Sequence, residues 1–189
     1  MLNEQDHQGK TPLYYLVQNT SSTCMDYKQY IEMFTNFFKL GEIQTNLADK
    51  DGVSPLLIAA RDNSLDFCKI LVANNANQNA MNKKGETALS ILIDSKNVEN
   101  VETILKLGAD PNQQDHNGRI SLHIAVNNAE TSADASFDME ALLIRQGANV
   151  NAIDKRGRTP LHYAFVKIGK PFNQEEIDPI ETVTSLLGV

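Results

Sequence analysis

A glycine recurs at Gly9, Gly52, Gly85, Gly118 and Gly157, and three residues before each stands Asp6, Asp49, Asn82, Asp115 or Asp154. The gaps between the glycines are 43, 33, 33 and 39 residues, so two equal a period and two equal that period plus an insert. A fixed period of this size constrains the fold more than composition can. Each unit is one supersecondary element that cannot bury its apolar face alone, and a core forms only where neighbours stack. The chain is therefore expected to be a solenoid, and its function is to be sought in a surface.

The wording inside a unit has physical reasons. The Asp-x-x-Gly segment reads as the tip of a hairpin-like finger, with glycine supplying a positive φ. Thr11 before Pro12 and Thr159 before Pro160 read as helix caps followed by proline in the first turn, where its missing N–H costs nothing. Leu13, Leu56, Leu89, Leu122 and Leu161 are expected to face the core, and the small Ala59, Ala125 and Ala164 to let neighbouring inner helices approach closely. The second half of a unit shows helical spacing in Phe67, Ile70 and Leu71, in Val101, Ile104 and Leu105, and in Met139, Leu142 and Leu143. These helices should end at Asn75, Gly108 and Gly147, residues that tolerate the left-handed turn. An extended stretch then runs to Asn79, Asn112 or Asn151.

The fifth unit is the clearest: residues 154–164 read DKRGRTPLHYA, against DHNGRISLHIA at 115–125 and DKDGVSPLLIA at 49–59. This wording resembles the ankyrin repeat, whose hallmark is TPLHxA after an Asp-x-x-Gly turn. The first unit (Thr11, Pro12, Leu13, Tyr14) and the third (Thr87, Ala88, Leu89, Ser90) are weaker matches, but five units in register cover essentially the whole chain. The resemblance implies an all-α ankyrin-repeat solenoid of about five helix-loop-helix units with hairpin-like fingers. The expected organisation is the end of a preceding finger at 1–5, then repeats at 6–48, 49–81, 82–114, 115–153 and 154–189, the last incomplete. Such a chain is expected to be a piece of a longer array.

The resemblance also assigns roles. His123 and His162 occupy the family's histidine position, where the imidazole hydrogen-bonds between adjacent units. Asn79, Asn112 and Asn151 match the finger asparagine, which ties the finger together and which an asparaginyl hydroxylase modifies in some members. Ankyrin arrays mostly bind proteins through fingertips and the exposed face of the inner helices. The expected partner-binding residues are Lys83, Lys84, His116, Asn117, Arg119, Asn127, Asn128, Lys155, Arg156 and Arg158. A wider floor is expected at Gln18, Asn19, Arg61, Asp62, Asp94, Ser95 and Lys167. The tips differ in charge: Asp49, Lys50 and Asp51 sum to −1, Lys83, Lys84 and Glu86 to +1, and Asp154, Lys155, Arg156 and Arg158 to +2. On a chain of net charge −7 the last tip stands out, and it fits an acidic or phosphorylated segment of a partner protein or peptide.

Other classes are disfavoured. The acidic balance argues against nucleic-acid or anionic-lipid binding, and no apolar run approaches the length of a membrane span. Neither a phosphate loop, a metal cluster nor a nucleophile motif stands out, so neither catalysis nor a cofactor is expected of this chain. Cys24 and Cys68 read as free thiols in a reducing compartment, cytoplasm or nucleus. The functional expectation is a protein-interaction scaffold, monomeric by itself; the alternative is the recognition arm of a larger enzyme or channel. Inserts at 19–29, 129–138 and 169–179, with Tyr27, Phe137 and Phe172 in or beside them, read as loops between the two helices of a unit.

Overall fold

The computed structural model describes residues 2–19, 26–128 and 133–168, with residues 133–138 and 167–168 described by their backbone alone. The chain divides into two compact units, Met1–Ile91 and Leu92–Val189. The first holds α1 (Pro12–Gln18), α2 (Tyr27–Phe37), α3 (Pro55–Arg61), α4 (Leu65–Ala73) and the start of α5 (Ala88–Asp94). The second holds the end of α5, then α6 (Val98–Lys106), α7 (Ser121–Asn128), α8 (Ala133–Arg145) and α9 (Pro160–Ile168). Among the described residues every regular element is a helix, and short inner helices alternate with longer outer ones.

The helices start where side chains satisfy the first N–H groups. Thr11 accepts from Tyr14 N–H at 3.1 Å and Ser54 from Leu57 N–H at 3.4 Å, each with proline next. Thr87 and Ser90 cap reciprocally, each hydroxyl accepting the other's N–H. In the second unit Asn97 caps α6 by accepting from Asn100 N–H at 3.1 Å, while α7 and α9 use imidazoles: His123 Nδ1 accepts from Ile120 N–H at 3.2 Å, and His162 Nδ1 from Thr159 N–H at 3.1 Å. Asn75, Gly108 and Gly147 close α4, α6 and α8 with φ of 66°, 101° and 88°, the left-handed stop their identity predicts.

In the first unit α1 packs on α3, α3 on α4 and α2 on α4; in the second, α7 packs on α8 and α9, and α6 on α8. Leu13, Leu56, Leu89 and Leu122 are buried, as are Ala59, Ala125 and Ala164. Phe67 is fully buried against Phe34 and Tyr30, with ring centroids at 4.5 and 5.9 Å. Each such large side chain contributes roughly 2 kcal/mol by leaving water. Leu161 departs from expectation and is only half-buried.

Two of the three inserts need correction. Within 129–138, residues from Ala133 onward are helical and lengthen α8 to 13 residues, against 9 in α4 and α6. Ala133 and Ala135 favour helix enough to extend it into a segment whose polar composition reads as loop. Within 19–29, Asn19 caps the end of α1, and Tyr27 already opens α2 behind Asp26. Residues 20–25 and 129–132, the whole of 169–179 with Phe172, the Phe137 side chain and Cys24 lie outside the described residues.

Candidate protein-interaction site

All five fingers are closed by one device. The acidic or amide residue opening each turn accepts two backbone N–H groups on a single oxygen, from the residues two and four further on. Asp6 Oδ1 holds Gln8 and Lys10, and Asp49 holds Asp51 and Val53. Asn82 holds Lys84 and Glu86, Asp115 holds Asn117 and Arg119, and Asp154 holds Arg156 and Arg158. The distances run from 2.8 to 3.0 Å. Gly9, Gly52, Gly85, Gly118 and Gly157 complete these turns with φ of 73–81°. Neighbouring fingers are then joined through their backbones. In the first unit Lys50 N–H donates to Gln8 O and Lys83 N–H to Asp51 O, both at 2.9 Å; in the second, Lys155 N–H donates to Asn117 O at 2.8 Å.

With the turn amides satisfied internally, the tip side chains project outward. Lys83 and Lys84 are exposed in the first unit, and His116, Asn117, Lys155 and Arg156 in the second. Arg119 and Arg158 are placed differently. Arg119 grips Asp115 Oδ2 through Nε and Nη2, both at 2.8 Å. Arg158 grips Asp154 Oδ2 at 2.9 and 2.8 Å, donates to Tyr163 Oη at 2.6 Å and lies 4.4 Å from the centre of that ring. Tyr163 Oη in turn donates to Asp154 Oδ2 at 2.9 Å. Burial works against the charge on Asp154, but hydrogen bonds from the Arg158 N–H, the Arg158 guanidinium and Tyr163 outweigh it and hold the carboxyl below the usual range. Asp115 is lowered by the same balance. Of the four charges at the fifth tip, Asp154 and Arg158 thus satisfy each other, and Lys155 and Arg156 are the cations exposed to solvent.

The inner-helix positions are mixed. Asn127 is exposed on α7, while Asn128 donates to Asp94 Oδ1 at 2.6 Å. Arg61 lies 3.6 Å from Glu86. Gln18, Asn19, Asp62 and Ser95 are exposed, and the Lys167 side chain lies outside the described residues. His123 is fully buried and its Nε2 stands 3.0 Å from Arg158 O, the link between repeats that the resemblance implies. His162 has the same sequence context but is exposed, with Thr159 Oγ1 2.8 Å from its Nδ1.

Some residues escaped the sequence. Tyr14 donates to Asp49 Oδ2 at 2.9 Å, and burial together with that carboxylate pushes its hydroxyl up to about 12. Tyr15 donates to Asp6 Oδ2 at 2.7 Å, beneath Lys10. Lys10 and Tyr15 stand four and nine residues after Asp6, as Arg158 and Tyr163 do after Asp154, and that spacing was the available signal. Asn3 and Asn46 belong with Asn112, all three residues before a finger aspartate. Each donates to a carbonyl of a neighbouring loop and accepts an N–H from it: Glu42 and Gln44 for Asn3, Asn75 and Asn77 for Asn46, Gly147 and Asn149 for Asn112. Cys68 is buried in α4, and burial pushes its thiol up to about 12, which leaves it unreactive. No helix among the described residues is long and apolar enough to cross a membrane.

The family model for ankyrin repeats in three copies matches residues 24–115 and 105–177. The chain belongs to the ankyrin repeat family. It is 32% identical over 161 residues to an ankyrin repeat protein of fowlpox virus, FPV031, covering 82% of this chain and 46% of that one. It is 26% identical over 170 residues to the B-cell lymphoma 3 protein homolog of Mus musculus, covering 87% of this chain and 35% of that one. The chain therefore spans about half, or less, of the length of these relatives. An ankyrin repeat domain from Acinetobacter baumannii AYE superposes with a TM-score of 0.80 at 24% identity, covering all of this chain and 85% of that one, which establishes the solenoid-like all-helical fold. Ankyrin repeats are in general protein–protein interaction modules and typically not enzymes.

Proposed function

We propose that this chain is a non-catalytic scaffold that grips a partner protein or peptide by its fingertips and exposed inner-helix residues, in the cytoplasm or nucleus. In the second unit the contact falls on Lys155 and Arg156, with His116, Asn117, Asn127 and Asn128; Lys83 and Lys84 form the corresponding patch of the first unit. Arg119 and Arg158 shape the tips from beneath. The supporting observation is the pairing of the fourth and fifth fingers through Lys155 N–H and Asn117 O, with both turns closed by their own aspartates. A tip whose backbone is already satisfied presents side chains at little ordering cost on binding. Two exposed cations on a chain of net charge −7 select for an acidic or phosphorylated segment, which Arg156 can hold bidentately and Lys155 as a point charge. The same surface would serve the recognition arm of a larger enzyme or channel.

The test is affinity capture from cell lysate with the native chain beside Lys155→Glu/Arg156→Glu, leaving Arg158 in place because it holds its own finger together. Partners should be retained by the native chain and lost from the variant, with affinity for an isolated partner falling about tenfold or more. Equal recovery and equal affinity would contradict the assignment.

A further inference from the structure

The two outward cations of the fifth tip, Lys155 and Arg156, stand on a turn that is pinned from beneath. Asp154 Oδ1 accepts the N–H groups of Arg156 and Arg158 at 2.8 and 2.9 Å. Its Oδ2 accepts from the Arg158 guanidinium and from the Tyr163 hydroxyl, both at 2.9 Å. Arg158 also donates to Tyr163 Oη at 2.6 Å, and its carbonyl stands 3.0 Å from His123 Nε2. The Tyr163 ring completes the network, 4.4 Å from the guanidinium and edge-on to His123 with centroids 5.4 Å apart. Tyr163 is 9% exposed and the Asp154 side chain 1%, so a partner seated on the tip meets neither.

The turn itself does not need this tyrosine. Nine residues after the residue that opens each finger stand Tyr15, Ile58, Ile91, Ile124 and Tyr163. The second, third and fourth fingers carry isoleucine there and close the same turn with the same pair of N–H groups on one oxygen. What the hydroxyl adds in the fifth finger is a further donor on Asp154 Oδ2 and an acceptor for Arg158. The two oxygens belong to one rigid carboxylate. A group that fixes Oδ2 therefore also fixes Oδ1, on which the Arg156 amide rests. Burying a hydroxyl is unfavourable unless it is paired, and here both of its partners are charged.

We propose that Tyr163 is a positioning residue of the fingertip site: through Asp154 and Arg158 it holds Lys155 and Arg156 in the geometry that receives an anionic segment, without touching the partner. The proposal rests on the fingertip reading given above and names a residue that the tip charges alone do not point to. A site whose supporting hydrogen bonds are already made loses less freedom on binding. The tip can therefore lose affinity without losing a charge.

Tyr163→Phe tests this in the whole chain, because it keeps the ring against His123 and Arg158 and removes only the hydroxyl. Two readouts are taken. Without peptide, amide hydrogen exchange at Arg156 and Arg158 should quicken about fivefold while the amides of α8 stay as they were. With a glutamate-rich phosphopeptide, affinity should fall about fivefold although every charge of the tip remains. Val101→Ala, a cavity in α6 of the same unit, lowers stability without touching the network and should leave both readouts within about twofold of the native chain. Native-like exchange or native-like affinity in Tyr163→Phe would overturn the positioning role, and so would equal losses in Val101→Ala. A native chain that does not bind the phosphopeptide would instead contradict the fingertip reading on which the role rests.

Discussion

Gly118 and Gly157 close the same turn with nearly the same backbone, φ +77° and +73°, yet a Cβ on Gly118 would strike Lys155 N at 3.0 Å while one on Gly157 would meet nothing within 4 Å. The two histidines that follow differ in the same way: His123 is fully buried against the next finger, and His162 is exposed. The fourth and fifth fingers thus share a sequence pattern and a local fold, but among the described residues only the fourth is packed against a following finger. The glycine is required by its own turn in both places and by close packing in only one, and the histidine caps a helix in both but links repeats in only one.

Substitutions at paired positions sharpen this contrast. His123→Ala removes a buried ring together with its contacts to Ile120 N–H and Arg158 O, and should cost about 4 kcal/mol in chemical denaturation. His162→Ala removes a cap and should cost about 1 kcal/mol. Equal losses would mean that the inter-finger contact adds nothing. Gly118→Ala combines positive-φ strain with a backbone clash and should cost about 3 kcal/mol, whereas Gly157→Ala, with strain alone, should cost about 1 kcal/mol.

The caps predict a further difference, in pH. Burial disfavours the charged form of His123 and lowers its pKa from 6.5, while the hydrogen bond to Arg158 O pulls the other way. A depressed histidine contributes stability that is complete above 6.5 and is lost as pH falls through the lower, folded value. Asp115 and Asp154, lowered from 3.8, withdraw their contribution only at still lower pH. The first unit uses Thr11, Ser54 and Thr87, which do not titrate. Hydrogen exchange followed from pH 7 to 5 should show amides of α7 losing protection before those of α1 and α3; simultaneous loss would break the contrast. The smallest stability effect belongs to Lys155→Glu/Arg156→Glu, which should stay within about 0.5 kcal/mol of the native chain, since both side chains are exposed.

The helix starts, the left-handed stops and the buried leucines were legible because each depends on residues close in the chain. Thr11 with Pro12, Gly108 and Gly147 carry their own dihedral reasons. The state of Arg158 was not legible from charge alone: a tip sum of +2 treats Asp154 as a nearby charge, whereas the folded turn places it where the guanidinium and Tyr163 converge on one oxygen. His123 and His162 could not be told apart, because the motif around them is the same and their burial is set by whether another finger lies alongside. The helical part of 129–138 was hidden because a polar stretch that continues a packed helix has the composition of a loop.

The most direct measurement is an amide-resolved NMR titration of the native chain with matched acidic, phosphorylated and neutral peptides. Saturable shifts are expected at His116, Asn117, Lys155 and Arg156 with the acidic or phosphorylated peptides, weakening as salt is raised and absent with the neutral set. Shifts equal for all three sets, or confined to α2 and α8 with the tips silent, would contradict a fingertip site for an anionic partner.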